Sequence, residues 1–420
     1  MPWEGGGSQA ALRLGNRRRI VGLLRVRGPL TRAELARLAG ISRSTASAII
    51  TDLLATGLVR EIGDAPSPRR PGQVGRPGSL VTLDPTAGAA IGVDVDHQHL
   101  RVVVADLAHR VLAETSSPLE LDHDAGDAMT LAEALVETAL GRAAVDRAKV
   151  LGVGLALAGP IEQPSGMVRP SSISPSWIGV DVRRAMTERL GLPVFVDNDA
   201  NLGALAELMW GAARGVVDGA YIRVGTGIGA GLIIGGSVYR GARGTAGEIG
   251  HSTIAPDGPV CRCGNRGCLE RVAGGRAILQ SLAGSHAHEL SLDEVLDHAL
   301  HGEAACRRII SDAGHLVGAQ VATLCNLVNP ERVVIGGPLS TAGDILLDPL
   351  RHTIARSALP IAADTAEVVL GELGDRAAAL GAVALVLQTV DPFHDGTEGG
   401  GWGGPGTRVR EEGLEAIATS

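Results

Sequence analysis

The segment from residue 248 to residue 270, EIGHSTIAPDGPVCRCGNRGCLE, limits how this chain can fold more than any other stretch. Three of the five cysteines fall within eight residues there, and a histidine precedes them. An odd number of cysteines, in a chain without a recognisable apolar leader, argues against a framework of disulfides and leaves metal binding open. The segment therefore predicts a tight loop whose sulfur atoms converge on one point.

The donor atoms of this loop predict a structural zinc ion. One imidazole and three thiolates fill a tetrahedral zinc site and leave no position open for a substrate. Gly264 and Gly267 allow the tight turns that bring the sulfurs together. The alternative is a group of reduced surface thiols beside an unrelated histidine. The predicted zinc ligands are His251, Cys261, Cys263 and Cys268, whereas Cys306 and Cys325 lie on predicted helices and are expected to be ordinary buried thiols.

Charge is distributed unevenly along the chain. Residues 10–76 contain thirteen arginines against four acidic residues, which gives this segment a charge of +9 in a chain of net charge −8. A basic amino-terminal segment on an acidic body favours a nucleic-acid-binding module fused to a domain that does not contact nucleic acid. The alternative is a basic face that is merely solvated.

Residues 10–83 predict a winged helix-turn-helix domain, with three helices followed by two strands. Thr31 and Glu34 form a capping box for the second helix, and a serine caps the third. Short polar and arginine side chains at the exposed start of that third helix are typical of a DNA recognition helix. An arginine between glycines in the wing can enter a minor groove. The alternative is a three-helix packing module. The predicted DNA contacts are Ser42, Arg43, Ser44, Thr45, Ser47 and Arg76.

Residues 87–390 alternate apolar strands with helices, which predicts an α/β body of two lobes with a cleft between them. The segments 1–9 and 391–420 are predicted to be disordered, the second because it is rich in glycine. No apolar run is long enough to predict a membrane span, and a cytoplasmic location is expected.

Five motifs, in order, carry a resemblance to a known family. They are VDNDAN (196–201), GTGIGAG (225–231), GTAGEIGH (244–251), CRCGNRGCLE (261–270) and VVIGGP (333–338). Behind a winged helix, they resemble the ROK family, whose name stands for repressor, open reading frame and kinase. The resemblance covers residues 12–388. It implies a two-lobed, actin-like and ribonuclease H-like fold of the sugar kinase type, with a homodimer or homotetramer expected.

The resemblance also implies a sugar site. The positions that bind sugar hydroxyls in the family match Asn198, Asp199, Glu248, His251 and Glu270. Carboxylates and amides suit this role because vicinal hydroxyls both donate and accept hydrogen bonds. Asp199 occupies the position of the catalytic base in the kinase members. Family members commonly place a sugar-contacting asparagine within the segment that here reads PSSISPSW (170–177), which has none, so the identity of the sugar stays open.

One motif departs from the kinase members. Their phosphate-binding loop is Asp-x-Gly-Gly-Thr, whereas this chain has DVDHQH at 94–99, with Asp96, His97 and Gln98 in place of Gly-Gly-Thr. A carboxylate and two bulky side chains are expected to crowd and repel a triphosphate. The sequence therefore predicts that the body has no enzymatic activity.

The predicted function is that of a DNA-binding transcriptional regulator of carbohydrate metabolism genes, specifically a repressor. A bound sugar or sugar derivative would control its affinity for an inverted-repeat operator in double-stranded DNA. Two alternatives remain at this point. One is an active sugar kinase fused to a DNA-binding domain, and the other is a metal-thiolate redox sensor.

Overall fold

A computed structural model describes residues 9–64, 79–120, 122–163, 165–169, 175–286 and 288–390. The predictions for residues 1–8, for the carboxy-terminal segment 391–420 and for Arg76 fall outside these ranges. Within the ranges described, none of the helices combines the length and apolarity needed to cross a membrane.

The amino-terminal domain is a winged helix-turn-helix, as predicted. Thr31 and Glu34 form the expected reciprocal capping box at the start of α2, and Gly40 ends that helix in a left-handed conformation. Two antiparallel ladders form a small sheet in the order β1-β3-β2. Its elements are α1 (Gln9–Arg27), β1 (Leu30–Thr31), α2 (Arg32–Ala39), α3 (Arg43–Ala55), β2 (Val59–Asp64) and β3 (Ser79–Leu83).

The first lobe of the body is built on a five-stranded sheet in the order β10-β7-β4-β5-β6. Strands β4, β7 and β10 are parallel, and β5 and β6 extend the sheet as an antiparallel meander. The elements are β4 (Ala89–Val95), β5 (His99–Asp106), β6 (Val111–Pro118), α4 (Ala125–Ala143), β7 (Val150–Leu157), β8 (Ile161–Glu162), β9 (Met167–Val168), α5 (Val182–Leu190), β10 (Val194–Asn198) and α6 (Asp199–Trp210).

The second lobe repeats this arrangement with a sheet in the order β13-β12-β11-β14-β15. Here β11, β14 and β15 are parallel, and β12 and β13 form the antiparallel meander. The elements are β11 (Gly219–Val224), β12 (Ile228–Ile234), β13 (Ser237–Tyr239), α7 (Leu269–Ala273), α8 (Gly275–Leu282), α9 (Leu292–Leu300), α10 (Ala304–Val328), β14 (Arg332–Gly336), α11 (Asp344–Ser357), α12 (Pro360–Thr365), β15 (Glu367–Leu370) and α13 (Ala377–Thr389).

The two sheets share one strand order, so the lobes are copies of one topology, and the predicted two-lobed actin-like fold is confirmed. The last helix, α13, returns to the first lobe and packs on β4, β7 and α6. Gly381 makes this close approach feasible, because a Cβ there would lie 1.9 Å from the carbonyl oxygen of Leu202 on α6. Any side chain at residue 381 would force the two helices apart.

The winged domain shares a hydrophobic core with the body. One cluster of buried residues joins Ile20 and Leu24 of α1 to Val103 of β5 and to Val383 and Leu387 of α13. Apolar burial is worth about 25 cal/mol per Å², so a continuous core of this kind makes separation of the two units costly. The DNA-binding domain is therefore in direct apolar contact with α13 and the first sheet.

Candidate functional site

The first turn of α3 presents a polar surface to solvent. The Ser42 hydroxyl caps the helix by accepting a hydrogen bond from the backbone N–H of Thr45 at 3.0 Å. Arg43 and Ser44 are exposed together with these two residues, and Ser47 is half-buried. This is the helix face that helix-turn-helix proteins place in the major groove. The surface suits DNA, and the individual contacts stay predictions.

One cavity between the two lobes brings together all five residues to which the resemblance assigns sugar binding. The space between the lobes measures about 740 Å³ with its open mouth included. The five residues come from the junction of β10 and α6, from a short turn after β13, and from α7. They are Asn198, Asp199, Glu248, His251 and Glu270.

Asn198 and Asp199 lie at the start of α6. The Asn198 side chain caps that helix, accepting from the backbone N–H groups of Ala200 and Asn201 and donating to the Gly159 carbonyl at 3.0 Å. Its amide is thus largely occupied by backbone, and its contact with sugar stays a prediction. Burial raises the pKa of Asp199 to about 6, against the opposing charge of Arg223.

Two glutamates complete the acidic wall of the cavity. Burial, followed by the charges of Asp199 and Glu270, raises the pKa of Glu248 to about 7. Burial likewise raises the pKa of Glu270, which accepts a hydrogen bond from the Ile228 N–H at 3.3 Å. Gly227 leaves room for this carboxylate, since a Cβ there would lie 2.7 Å from Oε2 of Glu270.

The four predicted zinc ligands converge. Their donor atoms all lie within 4.8 Å of one another. The distance is 3.6 Å between the sulfurs of Cys263 and Cys268, and also 3.6 Å between Cys261 Sγ and His251 Nδ1. Sulfurs bound tetrahedrally at about 2.3 Å from zinc lie roughly 3.8 Å apart, so this spacing fits a metal ion. The other ring nitrogen of His251, Nε2, lies 3.8 Å from Glu248 on the cavity side.

A buried arginine connects the segment 94–99, which departs from the kinase phosphate-binding motif, to Asp199, which occupies the position of the kinase base. Arg223, next to the carboxyl end of β11, places Nη2 2.8 Å from Asp96 Oδ2 and Nε 3.2 Å from Asp199 Oδ2. Burial alone would raise the pKa of Asp96, but Arg223, together with His97 and His99, more than offsets burial and holds that pKa below its usual range. Arg223 is shared with Asp199, so it offsets only part of the negative charge at Asp96, and the expectation that this charge repels a triphosphate stays a prediction.

His97 lies in the wall of the cavity, near Gly227. The expectation that its side chain crowds a bound triphosphate stays a prediction. Burial lowers the pKa of His97 to about 4, so its ring is neutral at physiological pH. Among the residues that the structure describes, no group pairs with its buried Nδ1 atom, whereas its Nε2 atom lies on the side of Gly227.

An ion-pair cluster joins the lobes beside the cavity. Asp122, which precedes α4 in the first lobe, accepts from Arg262 of the metal loop at 2.9 Å and from Arg276 of α8 at 2.6 Å. Both arginines line the cavity. Asp122 adopts a φ of 65°, an unfavourable value for a residue other than glycine, and so is held in a strained conformation.

Comparison with known proteins identifies the architecture. A MarR family model matches residues 15–70, and the model of the ROK family matches residues 90–389, well over half of the chain. The chain belongs to the ROK family. A xylose repressor from Caldicellulosiruptor bescii is 30% identical over 381 residues, which cover 87% of this chain and 94% of that protein.

Two solved ROK structures are also similar. A ROK family transcriptional regulator, described as a homologue of the E. coli MLC protein, is 26% identical with a TM-score of 0.74, covering 90% of this chain and 97% of that one. A ROK family glucokinase from Streptomyces griseus, in complex with glucose and AMPPNP, is 28% identical with a TM-score of 0.62. That match covers 71% of this chain and 99% of the glucokinase.

Sequence reasoning missed two residues of this ROK site, Arg223 and the inward-facing His97. A signal existed for the first, because an arginine interrupts the otherwise apolar run AYIRV in a strand that is buried throughout. A charge in such a position is rarely tolerated without a buried partner. The partners, Asp96 and Asp199, are too distant in sequence to be identified by spacing.

Proposed function

We propose that this protein is a DNA-binding transcriptional repressor of carbohydrate metabolism genes, whose affinity for an inverted-repeat operator is set by a sugar or sugar derivative in the interlobe cavity. The observation that carries the proposal is that one chain joins, through a shared hydrophobic core, a helix with an exposed polar start and a cavity lined by the five residues to which the resemblance assigns sugar binding. The similarity to a xylose repressor supports it. As in other helix-turn-helix proteins, we expect a two-fold assembly on the operator.

A structural zinc ion is part of this proposal. Zinc bound by His251, Cys261, Cys263 and Cys268 would fix the loop that carries Glu248 and leads into Glu270. With no open position, the ion would supply rigidity and no chemistry. Burial raises the pKa of Cys268 to about 12, so a divalent cation must displace protons from these thiols to bind. Nδ1 of His251 faces the sulfurs and Nε2 faces the cavity, so one ring would serve both metal and ligand.

We further propose that the body performs no phosphoryl transfer. In the kinase members a carboxylate at the position of Asp199 accepts a proton from the sugar hydroxyl, and small residues follow the position of Asp94. Here Arg223 holds Asp199 and Asp96 together, both buried. Phosphoryl transfer requires an oriented base and an aligned triphosphate. The carboxylate that would act as the base is already in an ion pair with Arg223, and Asp96 and His97 stand where the kinase members have small residues.

The competing function, an active sugar kinase with a regulatory DNA-binding domain, is favoured by two observations. The similarity to a glucokinase solved with glucose and AMPPNP covers nearly all of that enzyme. Asp199 is retained, and its raised pKa of about 6 lies near the range useful to a general base. Activity measurements therefore have to separate the two functions.

The experiment has two stages. A thermal-shift screen of the full chain against pentoses, hexoses, amino sugars and their phosphates identifies the ligand, because a ligand of the native state raises the melting temperature. DNA selected from a random-sequence pool is then titrated with protein, with and without that ligand. We expect operator affinity to change at least about tenfold, the equivalent of 1.4 kcal/mol of coupling.

Two variants serve as controls for that experiment. Glu248→Gln alters the cavity and should abolish the ligand response while leaving operator binding intact. Glu188→Gln makes the same chemical change at an exposed site on α5 and should behave as the wild type. Operator binding that survives deletion of residues 1–83, or a DNA affinity that no sugar changes, would contradict the proposal.

A further inference from the structure

A second cluster of metal-binding side chains lies in the second lobe, apart from the metal loop. It contains His286, which follows α8, His298 on α9, Glu303 at the amino-terminal cap of α10, and Cys306 one turn further along α10. One donor atom from each of the four residues lies within 4.8 Å of every other. Three segments of the chain therefore converge on one point with two nitrogens, one oxygen and one sulfur.

The carboxylate of Glu303 is the centre of this group. Its Oε1 lies 2.7 Å from His286 Nε2, and its Oε2 lies 2.5 Å from His298 Nδ1. The two imidazole rings face each other at 61° with centroids 5.6 Å apart. Although Glu303 occupies the N-cap position of α10, its side chain makes no capping hydrogen bond. The carboxylate points toward the histidines and does not accept a hydrogen bond from the free N–H groups at the start of this 25-residue helix.

The surroundings match those of a built metal site. The second nitrogen of His286, Nδ1, lies 2.8 Å from the Ser285 hydroxyl, which fixes the ring as outer-shell oxygens do for metal-bound histidines. Cys306 is fully buried, and His286 is largely so, while His298 and Glu303 are about one-third exposed. An ion can therefore enter past His298 and be held against a protected thiol.

We propose that His286, His298, Glu303 and Cys306 bind a divalent transition metal ion, with zinc the best match to this donor set. Zinc accepts imidazole, carboxylate and thiolate ligands in one tetrahedral shell. The ion replaces the protons shared between the imidazoles and Glu303 and the proton of the Cys306 thiol. The ion ties three segments together: the turn that follows α8, helix α9, and the start of α10. Helix α10 in turn packs against α7, which carries Glu270. The site is separate from the metal loop and does not depend on the sugar site.

The test measures bound zinc in the full chain. Wild-type protein and variants are equilibrated with zinc chloride, dialysed against metal-free buffer and analysed by atomic emission. We expect about two zinc ions per wild-type chain, one for each four-ligand site. Cys306→Ser and, separately, His298→Gln should each retain about one zinc, and Cys263→Ser should lose the ion of the metal loop alone. His298→Gln changes a partly exposed residue, which protects the test against failure of the buried variant to fold.

Matched variants give the controls. His301→Gln alters an exposed histidine at the end of α9, and Cys325→Ser alters a buried thiol further along α10; both should bind as much zinc as the wild type. With cobalt as the probe, the Cys263→Ser variant should still show a thiolate charge-transfer band, which comes from Cys306. The double variant Cys263→Ser/Cys306→Ser should show none.

The outcomes are distinct for the two sites. If only the metal loop binds zinc, Cys306→Ser and His298→Gln will match the wild type, and the proposal is overturned. If the metal loop does not bind zinc, Cys263→Ser will match the wild type while Cys306→Ser loses its ion, and the proposal stands without the zinc of the loop. Loss of zinc in His301→Gln equal to that in His298→Gln would show adventitious surface binding and would also overturn it.

Discussion

Replacement of Arg223 is the sharpest test of how the cavity is built. This guanidinium is 7% exposed and contacts two carboxylates that are themselves buried, Asp96 at 2.8 Å and Asp199 at 3.2 Å. Burial opposes the charge of Arg223, but these two carboxylates more than offset that cost and raise its pKa above the ordinary value. Arg223→Leu leaves both carboxylates buried without a cation. Removal of one partner from such a pair destabilises a protein by about 3–5 kcal/mol.

The assay is urea unfolding near pH 7.5, followed by the fluorescence of Trp177 and Trp210 in the body. Arg223→Leu should lose about 3–5 kcal/mol, and adding Asp96→Asn should recover part of the loss because one stranded charge disappears. A contact of this kind predicts a coupling energy of about 0.5–3 kcal/mol in the double-mutant cycle. Arg184→Leu, in an exposed helical pair, should leave the stability close to that of the wild type.

Two results would refute this reasoning. If Arg223→Leu unfolds within about 1 kcal/mol of the wild type, the bridge carries little energy. If the changes in the free energy of unfolding caused by Arg223→Leu and Asp96→Asn are simply additive, Arg223 and Asp96 do not interact. The proposed pairing of segment 94–99 with Arg223 would then be wrong.

The remaining predictions concern pH, metal and DNA. Burial lowers the pKa of His109 to about 3, from an ordinary value of 6.5. The folded state therefore keeps the ring neutral, while the unfolded chain takes up a proton below about pH 6.5. The contribution of His109 to stability is complete above that pH and is lost as the pH falls. At pH 5 the loss is about 2 kcal/mol, which should be absent in His109→Gln when the two are compared by urea unfolding. Cys261→Ser should lose both the bound metal, measured by atomic emission, and the response to sugar, measured by thermal shift. Cys325→Ser should lose neither. A zinc-free protein with a normal response to sugar would contradict the proposed structural role of zinc in the metal loop. Arg43→Ala should reduce discrimination between operator and unrelated DNA by about 1–3 kcal/mol in competition titrations, and unchanged discrimination would remove α3 from base recognition.

Local rules predicted the winged domain well. The Thr31–Glu34 capping box, the Ser42 cap and the apolar face of α3 all have the structure that their spacing indicates, because caps and helical periodicity depend on neighbouring residues. The strand order of the two lobes came from the resemblance, since no local pattern specifies which strands pair. The convergence of the metal loop was predictable because its four donors lie within eighteen residues of one another.

The charge balance of the cavity could not be predicted in this way. The interaction of Asp96 with Arg223 joins two lobes across more than a hundred residues, and sequence alone showed only an additional carboxylate. His97 likewise turns into the cavity because the β4–β5 turn lies beside Gly227, a neighbour from the other lobe. Both features were missed for one reason, namely that the charge balance and the direction of a buried side chain depend on its partner in space and not on its neighbours in sequence.

The central claim is that this ROK body senses sugar without phosphorylating it, and sugar-dependent release of ADP tests that claim most directly. Purified wild-type protein and Asp199→Asn are incubated with magnesium-ATP and the sugar identified by thermal shift, and ADP is measured by a coupled enzyme assay. The account predicts that the sugar changes operator affinity, that neither protein releases ADP above the sugar-free rate, and that Asp199→Asn alters only the affinity for sugar. Sugar-dependent ADP release by the wild type that is abolished in Asp199→Asn would show that the protein is a kinase.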